Sequence, residues 1–319
     1  MAHQSVRRRA AARRGFTHIE LLEVIALLIG ILLPALGEAR QSGQRAVSLA
    51  NIRSNMTYIF NYSVDNKEDF VNPFSAYGLK HNPNAPLTWL WTNPPPQGYT
   101  VGQYGWNYTA SGTESYGYHW IAHTLYDDAD ISSRAKSSVA PGDKALQLWF
   151  RENQDSNAQP DLTWIFPSSY WYPPVFWQES RRFAPPSRLG GGSVNRWFLY
   201  RNKISDTLTP SGKVLLFENK DYGSKQQYMW NHPAARPQVG MVDGSGKTVR
   251  MSDIVANTAA PADRSDSSKL LHPSGFWNPG EGEMQNNMLY GRAQGFTWDY
   301  SRPAYFWATR DGIRGRDIN

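Results

Sequence analysis

The chain has 319 residues, of which 40% are hydrophobic, and it contains 13 Trp, 17 Tyr and 13 Phe. That aromatic content is ample for a core and excludes an intrinsically disordered chain. The formal net charge is +6, but five arginines lie within the first fifteen residues. Without them, 28 of the 33 basic side chains remain against 27 acidic ones, a net charge of +1. The basic excess is therefore a local N-terminal signal, and it does not indicate a nucleic-acid partner.

The chain contains no cysteine. Disulfides, thiol catalysis and cysteine-ligated metals are excluded on that ground. The compartment is not fixed by it, because a large exported domain can fold without disulfides.

The stretch RRGFTHIELLEVIALLIGILLPAL (13–36) places an apolar run directly after the arginines. Its uncharged part, 24–36, is shorter than the roughly 20 residues of a spanning helix, which favours a cleaved signal peptide. Arg13, Arg14 and Phe16 also imitate the RRxF of a twin-arginine export signal. Neither reading explains Glu20 and Glu23, since each carboxylate costs about 2.5–3.5 kcal/mol at a bilayer centre.

The same stretch resembles the N-terminal class III signal of type IV pilins and type II secretion pseudopilins. In that family a prepilin peptidase cuts a basic leader after its final Gly, and the new N-terminal Phe is methylated. The resemblance implies cleavage after Gly15, a methylated Phe16 and Glu20 as the fifth mature residue. An intramembrane carboxylate needs a partner, and the N-terminal ammonium of a neighbouring subunit supplies one.

Further expectations follow from the resemblance. The apolar segment is kept, and from residue 16 to 36 it covers about 31 Å as a helix. The chain would cross the inner membrane once, with its head in the periplasm or outside the cell and its cytoplasmic leader removed. Its partners would be the prepilin peptidase and other pilin-like subunits. Two positions depart from the family pattern: Glu23 replaces a hydrophobic residue, and Pro34 comes about three residues early.

Helical spacing continues after the apolar segment, through Leu49, Ile52, Met56, Ile59 and Phe60. This pattern predicts one long helix over 16–62, kinked near Pro34, whose second half packs on the head. The predicted organisation is a leader (1–15), a transmembrane and assembly helix (16–62) and a globular head (63–319).

Short apolar or alternating runs separated by turn-forming residues predict strands in the head. The fold class expected is α+β and pilin-like, with the long helix packed on an antiparallel sheet that carries long loop insertions. The candidate strands are Ala145–Phe150, Leu162–Phe166, Arg196–Tyr200, Lys213–Glu218, Val239–Val242, Phe296–Tyr300 and Ala304–Thr309.

Three further patches are similar to a group of large pilin-like proteins that carry a His…Asp-Gly motif. They are SYGYHW (115–120), TPSGKVLLFENKD (209–221), and His232 followed by Asp243 and Gly244. We expect the last three residues to be structural, because two possible ligands make no metal site. The resemblance is strong over 13–73, piecemeal over 115–250 and absent beyond about 255.

Other motifs have simpler explanations than a catalytic or binding site. GMVDGSGKTV (240–249) approaches a phosphate-binding loop but has Met241 where the motif needs Gly, so a β-turn at Asp-Gly is predicted. The acidic stretch 65–69 lacks the spacing of an EF-hand calcium loop and reads as a helix end. No nucleophile elbow is present, and we expect no enzyme activity, catalytic residue, metal or cofactor.

An alternative function keeps the single helix but changes the role of the head. The aromatic residues, including those of WYPPVFW (171–177), could lie partly exposed on loops and contact a glycan. The chain would then be a membrane-tethered or exported carbohydrate-binding or glycan-active domain. The acids that raise this question are Glu218, Asp221, Asp243, Asp253, Glu281 and Glu283.

Overall fold

A computed structural model describes residues 18–72, 120–124, 136–153, 168–183, 200–258 and 305–318. Contacts divide the chain into two compact units, Met1–Gly43 and Gln44–Asn319. The boundary falls inside the long N-terminal helix, so residues 44–65 of that helix belong to the same unit as the sheet. The predicted leader lies outside the described residues.

Helix α1 runs from His18 to Asp65, close to the predicted 16–62, and it includes Pro34 within its length. The helix ends where Lys67 and Glu68 adopt positive φ angles of 58° and 67°. There the backbone N–H of Glu68 donates to the Ser63 carbonyl at 2.7 Å, which satisfies one of the terminal acceptors. This left-handed ending fixes where the chain leaves the helix.

The second half of α1 has one buried stripe and one exposed face. The buried residues recur every three or four positions, which is the spacing of a single helix face. They are Ser48, Ile52, Asn55, Met56, Ile59 and Ser63. The predicted packing of this half on the head is therefore confirmed.

A four-stranded antiparallel sheet lies in the unit formed by residues 44–319, with the strands in sequence order. One of the two inner strands, β2 (Val214–Glu218), is buried at every position. The predicted α+β fold, with a long N-terminal helix and an antiparallel sheet, is confirmed. The strands are β1 (Tyr170–Trp171), β2 (Val214–Glu218), β3 (Gln238–Met241) and β4 (Gly246–Thr248).

The two faces of β2 meet different neighbours because successive side chains point to opposite sides of a sheet. On one face, Gly240 of β3 pairs with Leu216 and lies directly under α1. A Cβ added at Gly240 would stand 2.4 Å from Met56 Sδ and 2.5 Å from Ile52 Cγ2. On the other face, Phe217 packs against Trp230, Phe306 and the tryptophans Trp171 and Trp307, with ring centroids 4.9–6.3 Å apart.

Two predicted strands are confirmed, and others are wrong. Lys213–Glu218 and Val239–Val242 correspond to β2 and β3. Ala145–Phe150 instead lies in helix α3 (Lys144–Asn153), which follows the short helix α2 (Trp120–His123). Ala304–Thr309 holds a 3₁₀ turn at Tyr305–Trp307. Strand β4 ends at Thr248, and helix α4 (Met251–Ala256) follows it.

Three predicted strands cannot be compared with the structure. Leu162–Phe166 and Phe296–Tyr300 lie outside the described residues, as does Arg196–Tyr200 apart from its last residue.

A buried ion pair attaches the C-terminal segment to β2. Lys213 Nζ contacts Thr309 Oγ1 at 2.8 Å, the Gly312 carbonyl at 2.9 Å and Asp317 Oδ1 at 3.3 Å. Asp317 Oδ2 accepts the backbone N–H of Val214 at 2.8 Å. All three ammonium protons thus have acceptors, which is the condition under which a buried lysine is tolerated.

Gly240→Ala is expected to lower the free energy of unfolding by roughly 1–3 kcal/mol, because the added methyl overpacks the contact with α1. Met56 can move its thioether, but the β-branched Ile52 has little rotamer freedom. Urea unfolding of the full chain in detergent, followed by tryptophan fluorescence, measures the change. Gly43→Ala is the control, since nothing lies within 4 Å of its added Cβ. Equal stability of the two variants would contradict the close approach.

Candidate functional site

The first half of α1 exposes apolar side chains around its whole circumference. It is a helix long and apolar enough to cross a membrane, and none of its most apolar window is buried. A helix that is hydrophobic all round needs an apolar environment, from lipid or from other helices. The exposed large side chains are Ile19, Leu21, Leu22, Val24, Ile25, Leu27, Leu28, Ile29, Ile31, Leu32, Leu33 and Leu36.

Two carboxylates stand within the first turns of this apolar helix. Glu20 lies in α1 two residues after His18, the first residue that the structure describes. Glu23 follows three residues later, about 4.5 Å further along the axis. Both side chains are exposed. Gly15 and Phe16, the predicted cleavage and methylation residues, lie outside the described residues.

The second half of α1 is held on the sheet by a buried polar network as well as by apolar packing. Ser48 Oγ donates to Glu218 Oε1 at 2.5 Å and lies 3.0 Å from Tyr170 Oη. Glu218 Oε2 accepts the backbone N–H of Gln238 at 2.9 Å. The network therefore joins α1 to β2 and β3 through the Glu218 carboxyl group, and to β1 through the Ser48 hydroxyl.

A second acid–base contact lies one turn earlier on α1. Arg45 Nη2 is 3.7 Å from Asp221 Oδ1, and Asp221 Oδ2 accepts the backbone N–H of Arg236 at 3.0 Å. The absence of a side chain at Gly223 leaves room for Arg45, since an added Cβ would stand 2.6 Å from Arg45 Nε. Burial raises the pKa of Asp221, while the Arg236 N–H and the Arg45 guanidinium lower it.

Sequence reasoning identified Glu218 and Asp221 only as possible catalytic acids. In the structure they hold the helix against the sheet, and Ser48 and Arg45 as their partners were not foreseen. Ser48 stands four residues before Ile52, so its place on the buried stripe was readable from helical spacing. Its partner was not readable, because Glu218 is 170 residues away. Of the other acids considered, Asp253 is exposed, and Glu281 and Glu283 lie outside the described residues.

The motif residues flank opposite ends of β3. Asp243 and Gly244 form the turn between β3 and β4, where Asp243 Oδ1 accepts the Ser245 N–H at 2.9 Å. The predicted β-turn is therefore confirmed. His232 precedes β3, accepts the Ala234 N–H on Nδ1 at 3.0 Å, and stacks on Tyr228 at 4.2 Å with an interplanar angle of 6°.

Side chains of the acidic stretch 65–69 make local contacts at the C-terminal end of α1. Asn66 donates its side-chain amide to the Tyr62 carbonyl at 2.7 Å, and Asp69 lies 3.6 Å from Arg201. Within the described part of the chain, no group of three or more His, Asp or Glu residues is placed to hold a metal ion.

The aromatic stretch 171–177 is buried along its length, so the expectation that part of it is exposed on a loop is wrong. The Tyr172 hydroxyl donates to the Val71 carbonyl at 3.0 Å, and the ring stacks on Phe176 at 5.3 Å. Phe176 in turn packs on Phe70, 4.8 Å away, just after α1 ends. These rings form core in place of a glycan-binding surface.

Comparison with protein-family models, with curated proteins and with solved structures finds no match for this chain. Its class is therefore described by the fold itself. It is an α+β protein of pilin-like layout, with one long apolar N-terminal helix followed by an antiparallel sheet.

Gly244→Ala is expected to lower the free energy of unfolding by about 1–2 kcal/mol, because Gly244 has φ +84° and a Cβ disfavours that conformation. Chemical denaturation measures it. Gly244→Asn is the matched control and should lose less, since Asn tolerates positive φ better. Equal losses in the two variants would show that backbone strain is not what the turn requires of this position.

Proposed function

We propose that the chain is a pilin-like, pseudopilin-type subunit of a type IV pilus or type II secretion filament. It is made as an inner-membrane precursor, cut after Gly15 by a prepilin peptidase and methylated on Phe16. It then assembles with other pilin-like subunits, with its head outside the cytoplasm. The observation that carries the proposal is the apolar first half of α1, exposed on every side and interrupted by Glu20.

The energetic argument concerns Glu20. A lone carboxylate in hydrocarbon is costly, whereas one that meets an ammonium group inside a helix bundle is stabilised. Cleavage after Gly15 would place a new amino terminus four residues from Glu20, about 6 Å along the axis. A neighbouring subunit displaced by that amount brings its amine to the carboxylate, which sets the axial register of the filament.

The division of the chain supports the same proposal. Residues 44–65 of α1 are bound to the sheet by their own buried stripe, so they need no partner to be stable. The side chains of residues 18–36 are exposed, and their apolar surface remains for lipid or for other copies. A helix with these two regions suits a subunit that first resides in a membrane and is then taken into a bundle.

Glu20→Ala is expected to abolish incorporation into filaments while leaving the head folded, because the carboxylate that meets the neighbouring amine is gone. The measurement is recovery of the subunit in sheared or pelleted filaments from cells that express the variant. Glu38→Ala is the matched control, since Glu38 is an exposed acid on the same helix beyond the apolar run. Incorporation of Glu20→Ala at the level of the control would contradict the proposal.

N-terminal mass spectrometry of the protein from its native membrane is expected to find N-methylated Phe16 as the first residue. Twin-arginine export would instead give a mature terminus near Arg40. A tethered domain would retain the arginine leader, and residues 63–319 would then be tested against a glycan panel. Either of these termini would overturn the filament proposal.

A further inference from the structure

We propose that Glu218 is a proton-dependent switch for the docking of residues 44–65 of α1 on the sheet. The protonated side chain holds the helix in place, and ionisation loosens it. All the contacts involved lie within the unit Gln44–Asn319, so the inference stands whether or not the chain forms a filament.

The Glu218 carboxyl group contacts both helix α1 and strand β3 of the sheet. Glu218 ends β2 and is 1% exposed, and it is paired across the ladder with Tyr170. One of its oxygens meets Ser48 of α1 at 2.5 Å, and the other meets the Gln238 N–H at 2.9 Å. Ser48, itself 1% exposed, also reaches the Tyr170 hydroxyl. If Glu218 loses either contact, a buried polar group loses its partner.

The charges around this carboxyl do not neutralise it. The charge of Arg45 on α1 lowers the pKa of Glu218, but Arg45 is itself paired with Asp221. Asp221 is a second acid facing Glu218, and no basic side chain of the described chain lies within ion-pair distance of Glu218. Tyr170 and Tyr222 also interact with Glu218, and neither carries positive charge. Asp143 acts on the two tyrosines, and the Arg236 charge acts on Asp221.

Protonation of Glu218 removes its buried negative charge. The protonated carboxyl can donate to Ser48 while its other oxygen still accepts from Gln238, and the Ser48 hydroxyl can then donate to Tyr170. Burial is the largest effect, and it raises the pKa of Glu218 to about 8 from an ordinary value of 4.5. The Ser48 and Gln238 hydrogen bonds and Arg45 lower the pKa, and Asp221 raises it.

The sign of the pH dependence follows from proton counting. Between pH 4.5 and 8 the docked state holds a proton on Glu218, whereas a state with the carboxyl in water does not. Separation of residues 44–65 from the sheet therefore releases a proton. The equilibrium constant for this separation rises by up to about tenfold per pH unit in this window. Docking is strongest below pH 4.5 and weakens as the pH rises. Above about pH 8, Glu218 is ionised in both states and contributes no further pH dependence.

Hydrogen–deuterium exchange of the full chain in detergent micelles tests the switch. Protection of peptides from 44–65 is measured from pH 5 to 8.5 and corrected for the intrinsic exchange rate. The wild-type protection factor should fall steadily with pH. Glu218→Gln should remove most of that slope, because the amide can donate to Ser48 and accept from Gln238 as the protonated acid does.

Two control variants test whether Glu218, and not another carboxyl group, causes the pH dependence of protection. Asp253→Asn removes an exposed carboxyl of α4 and should keep the wild-type slope. Asp221→Asn removes the other buried acid and should leave most of the slope in place. The proposal is overturned if Glu218→Gln retains the wild-type slope, or if Asp221→Asn alone abolishes it. Should Glu218→Gln fail to fold, the wild-type curve decides, since protection independent of pH is incompatible with the switch.

Discussion

The rest of the structure depends on the close packing of α1 against the sheet at Gly240. Ile52 and Met56 occupy the space that a side chain on β3 would otherwise fill. Because a packed interface excludes alternatives that differ by a methyl group, this contact fixes how far the helix stands from the strands. The polar contacts of Ser48 and Arg45 can then form at one end of the same interface, where their partners Glu218 and Asp221 are presented.

The buried hydrogen bonds of Ser48 and Glu218 fix the position of α1 along the sheet, where much of the interface is apolar. Apolar stripes tolerate sliding by a turn, but a serine that must reach one carboxyl does not. Replacing such networks with hydrophobic residues is often neutral or stabilising, so their contribution is better described as positional than as energetic. The Lys213–Asp317 pair does the same at the other end of β2, where it fixes the C-terminal segment against the strand.

Local patterns predicted the parts of the fold whose signal is long or unambiguous. Helix α1, strands β2 and β3 and the Asp243–Gly244 turn were all readable, because helical periodicity and Asp-Gly chemistry act over a few residues. The strand prediction at helix α3 is wrong because a short apolar run has no clear period. The deciding residue is Asp143, which accepts the Leu146 N–H at 3.1 Å as a helix N-cap. The network at Glu218 was not predictable, since nothing local brings together positions 48, 170, 218 and 238.

The two halves of α1 meet opposite requirements within one continuous helix. Residues 44–65 carry an apolar stripe on one side and polar residues on the other, which suits a helix that lies on a sheet. Residues 18–36 carry apolar groups on all sides, which would cause aggregation if they remained in water. An apolar surface of this kind requires an environment that covers it. In the proposed filament, a bundle of like helices with free amino termini would provide both the apolar cover and a charge opposite to that of Glu20.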